Sequence, residues 1–196
     1  MSLELDHVLF AVADLDAAGR ELEERHGLSS VEGGRHPGWG TANRIVPLGE
    51  TYLELVAVVD PAEAAASAFG TWVAATKPGP FAWAVRTDDL DDVAARLGLA
   101  VADGSRAGGD GHVIRWRIAG VEHAAAEPSL PFFIEWAPRT RLPGRLPTAH
   151  RLEELSLVGD EERLDDWLGG EHLPVAVKPG APAVSAVALN GGVIVA

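Results

Sequence analysis

Apolar and polar positions along the chain alternate between two periods, and the alternation occurs twice in the same order. Residues 3–13 form an apolar run in which Asp6 and His7 are the only polar positions after Glu4, the pattern of a strand. Asp14 is placed to cap a helix through about His26, with Leu15, Ala18, Leu22 and Arg25 at helical spacing and Gly27 as its stop. A short strand over 28–31, a loop over 33–40 and a strand over 41–48 follow; Gly49-Glu50 then turns the chain into a strand over 51–59. A connecting helix is predicted from Asp60-Pro61 to about Ala75, and Lys77-Pro78-Gly79-Pro80 breaks it.

The same order then recurs. Strand 81–86 leads through Thr87-Asp88-Asp89 into a helix that stops at Gly98. A short strand over 99–102, a glycine-rich loop over 105–111, a strand over 112–118, an irregular connection over 120–130 and a strand over 132–137 complete the set. Tyr52-Leu53-Glu54-Leu55 and Phe133-Ile134-Glu135-Trp136 close the two units, which sets Glu54 against Glu135 and His7 against Ala82. A Pro- and Arg-rich linker precedes a sparser third unit. The expected boundaries are residues 1–60, a connector over 61–79, residues 80–137, a linker over 138–150, and a degenerate unit over 151–196. The fold class implied is α+β, with two βαβββ modules forming an open, curved, barrel-like cavity and a third module that looks structural.

Composition narrows the function. The 196 residues are 47% hydrophobic, enough for a substantial core. Twenty-nine acidic against sixteen basic residues give a formal net charge of −13, which disfavours nucleic acid and anionic membranes as partners. No apolar run approaches the roughly 20 residues that span a bilayer. No basic-then-apolar leader opens the chain, so no secretory signal is expected. The absence of cysteine removes disulfides, thiolate metal sites and cysteine nucleophiles, and suits a cytoplasmic protein. No phosphate loop, dinucleotide fingerprint or Gly-x-Ser-x-Gly turn is present.

The candidate chemistry lies in charged residues isolated within apolar strands. Burying an unpaired carboxylate costs several kcal/mol even after relaxation, so His7, Glu54 and Glu135 call for a common partner. One imidazole and two carboxylates suit Mn²⁺, Fe²⁺, Zn²⁺ or Ni²⁺ with positions left open for substrate. A plainer assignment leaves His7 at a strand end, Glu54 in solvent and Glu135 paired with a nearby arginine. The segment Gly34-Arg35-His36-Pro37-Gly38-Trp39-Gly40-Thr41-Ala42-Asn43 gathers a guanidinium, an imidazole, an indole, a hydroxyl and an amide. Such a mixture suits a small oxygen-rich or anionic ligand, with Arg35 or Arg44 for a carboxylate, His36 as acid or base and Trp39 as an apolar wall. Alternatively it is a connection whose Thr41 and Asn43 tie off backbone groups. Tyr52 and Phe133 flank the two glutamates and join the expected substrate-binding set.

The repeated unit, the Leu5-Asp6-His7-Val8 opening and the Tyr52-Leu53-Glu54-Leu55 strand resemble the glyoxalase-like branch of the vicinal oxygen chelate superfamily. The segment His36-Pro37-Gly38-Trp39-Gly40-Thr41-Ala42-Asn43 resembles that branch in particular. The resemblance implies a divalent metal held by the first and last strands of two modules, hence His7, Glu54 and Glu135, with Ala82 failing to supply a fourth ligand. Glu135 and His36 would then serve catalysis. A metal-dependent lyase, isomerase or dioxygenase on a small oxygenated substrate follows from this resemblance. A metal-free protein that binds an antibiotic or metabolite in the same cavity is the alternative. The unpaired sheet face of the third unit implies a homodimer.

Overall fold

Side chains alternate across a strand, so each strand of a barrel offers one set of residues to the interior and the other to the outer layer. The computed structural model, which describes residues 2–107 and 113–196, follows that rule through two concentric cores. The first unit comprises β1 (Leu3–Ala11), α1 (Leu15–His26), β2 (Val31–His36), β3 (Thr41–Leu48) and β4 (Thr51–Val58). The second comprises β5 (Gly79–Thr87), α4 (Leu90–Leu97), β6 (Val101–Ala107), β7 (Val113–Ala119), α5 (Val121–Ala126) and β8 (Phe132–Trp136). Between them lie α2 (Pro61–Ala65) and α3 (Ala68–Ala75).

These eight strands close into a barrel in the order β1-β4-β3-β2-β6-β7-β8-β5. Within each unit the first and last strands pair in parallel, β1 with β4 and β5 with β8, while β1 and β5 join the units antiparallel. Across the β2–β6 seam, Arg35 lies opposite Ala107. The fold expected from the repeat is therefore present, its eight strands paired around a barrel.

Several local elements differ from the sequence pattern, each for a physical reason. Gly33-Gly34-Arg35-His36 belongs to a strand because its backbone pairs with β3, Gly34 opposite Asn43 and His36 opposite Thr41. The single connecting helix is two, because the Ser67 hydroxyl accepts from Gly70 N at 2.9 Å and caps a new start. The connection over 120–130 contains α5, and β6 reaches Ala107 where a loop was expected to start at 105. The rest of that loop, with His112, lies outside the described residues.

The tail contains β9 (Leu152–Val158), α6 (Glu161–Leu168), β10 (Val175–Lys178), β11 (Ala183–Leu189) and β12 (Val193–Val195), in a separate sheet ordered β10-β9-β11-β12. Its element order repeats the earlier units, but its first strand sits mid-sheet between β10 and β11. Leu155, Leu157, Val184 and Val187 of this sheet join one core with Val8, Trp83, Val85 and Phe133 from the outer faces of β1, β5 and β8. Trp167 of α6 fastens the layers, donating its Nε1–H to Pro131 O at 3.0 Å. The sheet face that suggested a dimer is thus covered within the chain. No helix among the described residues is long and apolar enough to cross a membrane.

Candidate functional site

The site is built where β1, β2, β3 and β4 turn polar side chains into the barrel. His7, His36, Asn43, Tyr52 and Glu54 line one cavity, joined from the second unit by Arg106, Trp116, Phe132 and Trp136. The turn after β2 aims Trp39 and His36 at Phe69 of α3, which stoppers this end of the barrel. Gly40 makes that packing possible: its φ is +66°, and a Cβ there would strike the Asp60 and Ala64 backbone. The free space available to the centres of water molecules is about 40 Å³, room for about three waters at 10–15 Å³ each.

Asp6 and His7 are consecutive, so a regular strand would send them to opposite faces. A register shift between Leu5 and His7 in the β1–β5 ladder relieves that constraint, and Asp6 sits in the bulge. Asp6 Oδ1 lies 2.6 Å from His7 Nδ1, and Asp6 Oδ2 accepts from Trp136 Nε1 at 3.0 Å. On the other ring edge, His7 Nε2 faces Glu54 Oε2 at 3.2 Å. Asn43 Nδ2 donates to Glu54 Oε1 at 2.6 Å, and His36 Nε2 approaches the same oxygen to 3.7 Å. The His36 Nδ1 edge is occupied by Thr41 Oγ1 at 2.9 Å. Tyr52 stacks on His7 with ring centroids 4.6 Å apart.

Electrostatics separates the two imidazoles. Burial would strip the proton from His7, but hydrogen bonds and charge from Asp6 and Glu54 reverse that effect and hold its pKa up at about 9. Burial likewise opposes ionisation of Glu54, yet the His7 bond and charge, the His36 charge and the Asn43 bond bring it down to about 2. His36 moves the other way: burial lowers its pKa, Arg106 and His7 add to the lowering, and Glu54 offsets only part. At neutral pH the cavity therefore holds a charged His7, a carboxylate at Glu54 and a neutral His36. Burial, reinforced by the negative charges of Asp6 and Glu54, keeps the Tyr52 phenol protonated.

Of the residues singled out in the sequence, His7, His36, Trp39, Asn43, Tyr52 and Glu54 converge on the cavity, and Thr41 supports it through His36. Glu135, Phe133 and Arg35 do not. Glu135 points out of the barrel, where Arg117 Nε donates to it at 2.7 Å. Phe133, fully buried, lies outside the barrel against Trp167. Arg35 is exposed and paired with Glu63 and Asp60. Strand parity explains all three, since Phe132, Ile134 and Trp136 take the inward positions of β8 and His36 that of β2. Arg44 also lies outside, bound to Asp16 at 2.8 Å.

The register also corrects the pairing of the glutamates. His7 faces Ala84 and Leu9 faces Ala82 across β1–β5, so the twofold relating the units carries His7 to Ala82 and Leu9 to Ala84. Leu9 pairs with Glu54 and Ala84 with Phe132, so the counterpart of Glu54 is Phe132, not Glu135. The two closing tetrapeptides look alike but are three residues out of register.

Sequence reasoning missed Asp6, Arg106, Trp116 and Trp136 as site residues. The bulge that turns Asp6 inward has no sequence signal, and Arg106 sat in what read as a glycine-rich loop.

A metal chelated from the first and last strands of both units would need donors at His7, Glu54, Ala82 and Phe132, and only the first two are donors. Among the described residues no group of three or more His, Cys, Asp or Glu is arranged to hold a metal ion. His7 and Glu54 are instead closed on each other. A four-position chelate does not fit this site.

Comparison with known proteins agrees with the architecture. The chain is similar over 96% of its length, and 91% of the other, to a hypothetical protein from Staphylococcus aureus, with 16% identity and a TM-score of 0.77. It is also similar to methylmalonyl-CoA epimerase from Mycobacterium tuberculosis, at 24% identity and a TM-score of 0.50, covering 70% of this chain and 89% of that one. Methylmalonyl-CoA epimerase from Streptomyces coelicolor aligns at 22% identity and a TM-score of 0.52, covering 71% and 100%. No curated protein matches the chain in sequence. Residues 5–169 match the glyoxalase-like domain, and the chain belongs to that family.

Proposed function

We propose that the protein is a metal-independent proton-transfer enzyme, an isomerase or lyase, acting on a small oxygenated substrate with an enolisable carbonyl. The observation that carries this reading is a single buried carboxylate flanked by two imidazoles whose surroundings drive their proton affinities apart. Titratable neighbours separated in this way divide acid from base duty. His7 is the acid: when the substrate's carbonyl oxygen takes the place of Glu54 Oε2 on its Nε2–H, that N–H polarises the oxygen. His36 is the base: in the tautomer that donates Nδ1–H to Thr41, Nε2 carries a lone pair for the α-proton. Glu54, with a pKa near 2, is too weak a base for that proton and acts as the counter-charge that keeps His7 protonated.

In the step, the C–H pair becomes the C=C bond and the carbonyl π pair moves to oxygen, where the His7 N–H meets it. With an α-hydroxy carbonyl the intermediate is an enediol: His36 returns the proton to the former carbonyl carbon while the neighbouring hydroxyl gives its proton to His7 and becomes the new carbonyl, which completes an isomerisation. Departure of a β-leaving group with its electron pair completes an elimination. The epimerases among the fold neighbours carry out a reaction of this class by name. The small free volume argues for a compact substrate over an antibiotic-sized ligand. A panel of small carbonyl compounds in D₂O, followed by ¹H NMR, tests the reading. The expected result is exchange of the α-hydrogen that His36→Gln slows by about 10²- to 10⁴-fold. Exchange at an unchanged rate in that variant contradicts it.

Divalent metal binding is a second reading, favoured by one observation. Each imidazole has Nδ1 tied to a partner and Nε2 turned toward Glu54, the orientation that outer partners impose on metal ligands. It requires His7 to lose its proton and part from Glu54. A rise in melting temperature with Mn²⁺, Fe²⁺, Zn²⁺ or Ni²⁺ after chelator treatment supports it; no shift supports the metal-independent reading.

A further inference from the structure

The acid–base pair leaves two polar groups of the cavity without a task. Asn43 donates its amide N–H to Glu54, but its Oδ1 is buried and has no hydrogen-bond partner among the described residues. Such an acceptor is costly to leave unmet and marks a place where a ligand donor belongs. The second group is Arg106, 7% exposed, whose guanidinium reaches into the same cavity.

The two groups meet at Gly33. A Cβ on that residue would collide with Asn43 Oδ1 and come within 2.6 Å of Arg106 Nη1. Gly33 does not have a positive φ, so glycine is needed here for space and not for backbone conformation. An orphan acceptor and a cation thus stand close together at one end of the cavity, where the same Asn43 amide holds Glu54.

A ligand complementary to that end carries a hydrogen-bond donor and an anionic, planar acceptor on adjacent atoms. A hydroxyl or enol next to a carboxylate has this pattern, and guanidinium recognises carboxylate through paired N–H donors. The space free to the centres of water molecules, about 40 Å³, favours a short ligand. We infer that the substrate is a short 2-hydroxy carboxylic acid, or a 2-oxo acid held there as its enol, its carboxylate on Arg106 and its hydroxyl or enol hydrogen on Asn43 Oδ1. This rests on the acid–base reading for the chemistry but not for the binding. Trp39, Trp116 and Trp136 close around the site and report occupancy.

Tryptophan fluorescence titration with pyruvate, lactate and 2-oxobutyrate, against pyruvamide and lactamide, tests the inference without requiring turnover. The acids are expected to bind at least about tenfold more tightly than the amides, a margin that Arg106→Gln removes and Arg106→Lys partly keeps. Asn43→Asp, which places a repelling charge beside the carboxylate, weakens the acids more than the amides. Amides that bind as tightly as the acids, or acids that bind Arg106→Gln unchanged, overturn the inference. Should Arg106→Gln fail to fold by circular dichroism, the acid-to-amide ratio of the unaltered protein and of Asn43→Asp decides it. Acids that bind but exchange no deuterium leave the substrate class standing and remove the acid–base reading. Exchange on neutral ketones with no preference for acids does the reverse.

Discussion

The two halves of the barrel share one strand plan and differ in almost every inward residue. Matched through the ladders, His7 corresponds to Ala82, Glu54 to Phe132, Asn43 to Ile118, Thr41 to Trp116 and His36 to Gly104. One half supplies carboxylate, imidazole and amide groups; the other, Arg106 apart, supplies a wall of rings and small side chains. The aromatic half has its own part in the chemistry, because it dries the pair. Charge pairs gain strength as water is excluded, and an isolated buried charge becomes correspondingly costly. The fold thus resembles a two-sided chelate in outline while concentrating its inward carboxylate and imidazole groups on one side.

Breaking either half is expected to cost stability by different routes. Glu54→Ala leaves His7 buried with one of its two counter-charges gone and is expected to lower unfolding free energy by about 3–5 kcal/mol. Phe132→Ala opens a void and is expected to cost a similar amount, about 3–5 kcal/mol. Urea denaturation measures both, and only Glu54→Ala is expected to alter the dependence on pH.

That dependence has a definite sign. The folded pKa of His7 lies above the unfolded value, so its contribution is complete below about pH 6.5, declines above it and is gone past about 9. The folded pKa of Glu54 is depressed, so its contribution is present above about pH 4.5 and is lost as pH falls toward about 2. Stability of the unaltered protein is expected to fall by up to about 1.4 kcal/mol per pH unit between 6.5 and 9 from this source. Glu54→Gln is expected to shallow that slope in paired denaturation series.

Smaller changes sharpen the contrast. Asp6→Asn keeps a polar partner for His7 but removes a charge, and is expected to lower the His7 pKa by about 1–3 units, read from its ring resonances. Glu135→Gln removes the partly exposed pair with Arg117 and is expected to change stability by about 0–1 kcal/mol. It is expected to leave deuterium exchange unaltered, although Glu135 and Glu54 look equivalent in the sequence.

The contrast also explains what the sequence disclosed. Period and punctuation located both units because strand alternation, Asp14 and Asp89 as caps, and the Gly49-Glu50 turn act locally. His7 and Glu54 stood out because a charge inside an apolar strand requires a buried partner, and His36 and Asn43 because the glycine-rich segment 34–43 gathers an imidazole, an indole, a hydroxyl and an amide. Register is not local. The likeness of Tyr-Leu-Glu-Leu to Phe-Ile-Glu-Trp hid a shift of three residues that sends Glu135 to the opposite face and puts Phe132 opposite Glu54. Asp6 became a site residue through a bulge, and Arg106 through strand β6 reaching further than its glycines suggested. Arg35 and Phe133 failed for the same reason as Glu135: parity along a strand is unforgiving, and the turn that sets it lies elsewhere.

Two histidines that share one carboxylate are held in opposite protonation states, His7 charged by Asp6 and Glu54 and His36 neutral through burial. Nitrogen-15 NMR of the imidazole rings at about pH 7.5 tests it most directly, with His7→Gln and His36→Gln to assign the signals. The account predicts that His7 carries protons on both ring nitrogens and titrates only near pH 9, while His36 is a single neutral tautomer that titrates below 6.5. Two rings that titrate together near pH 6.5 would contradict it.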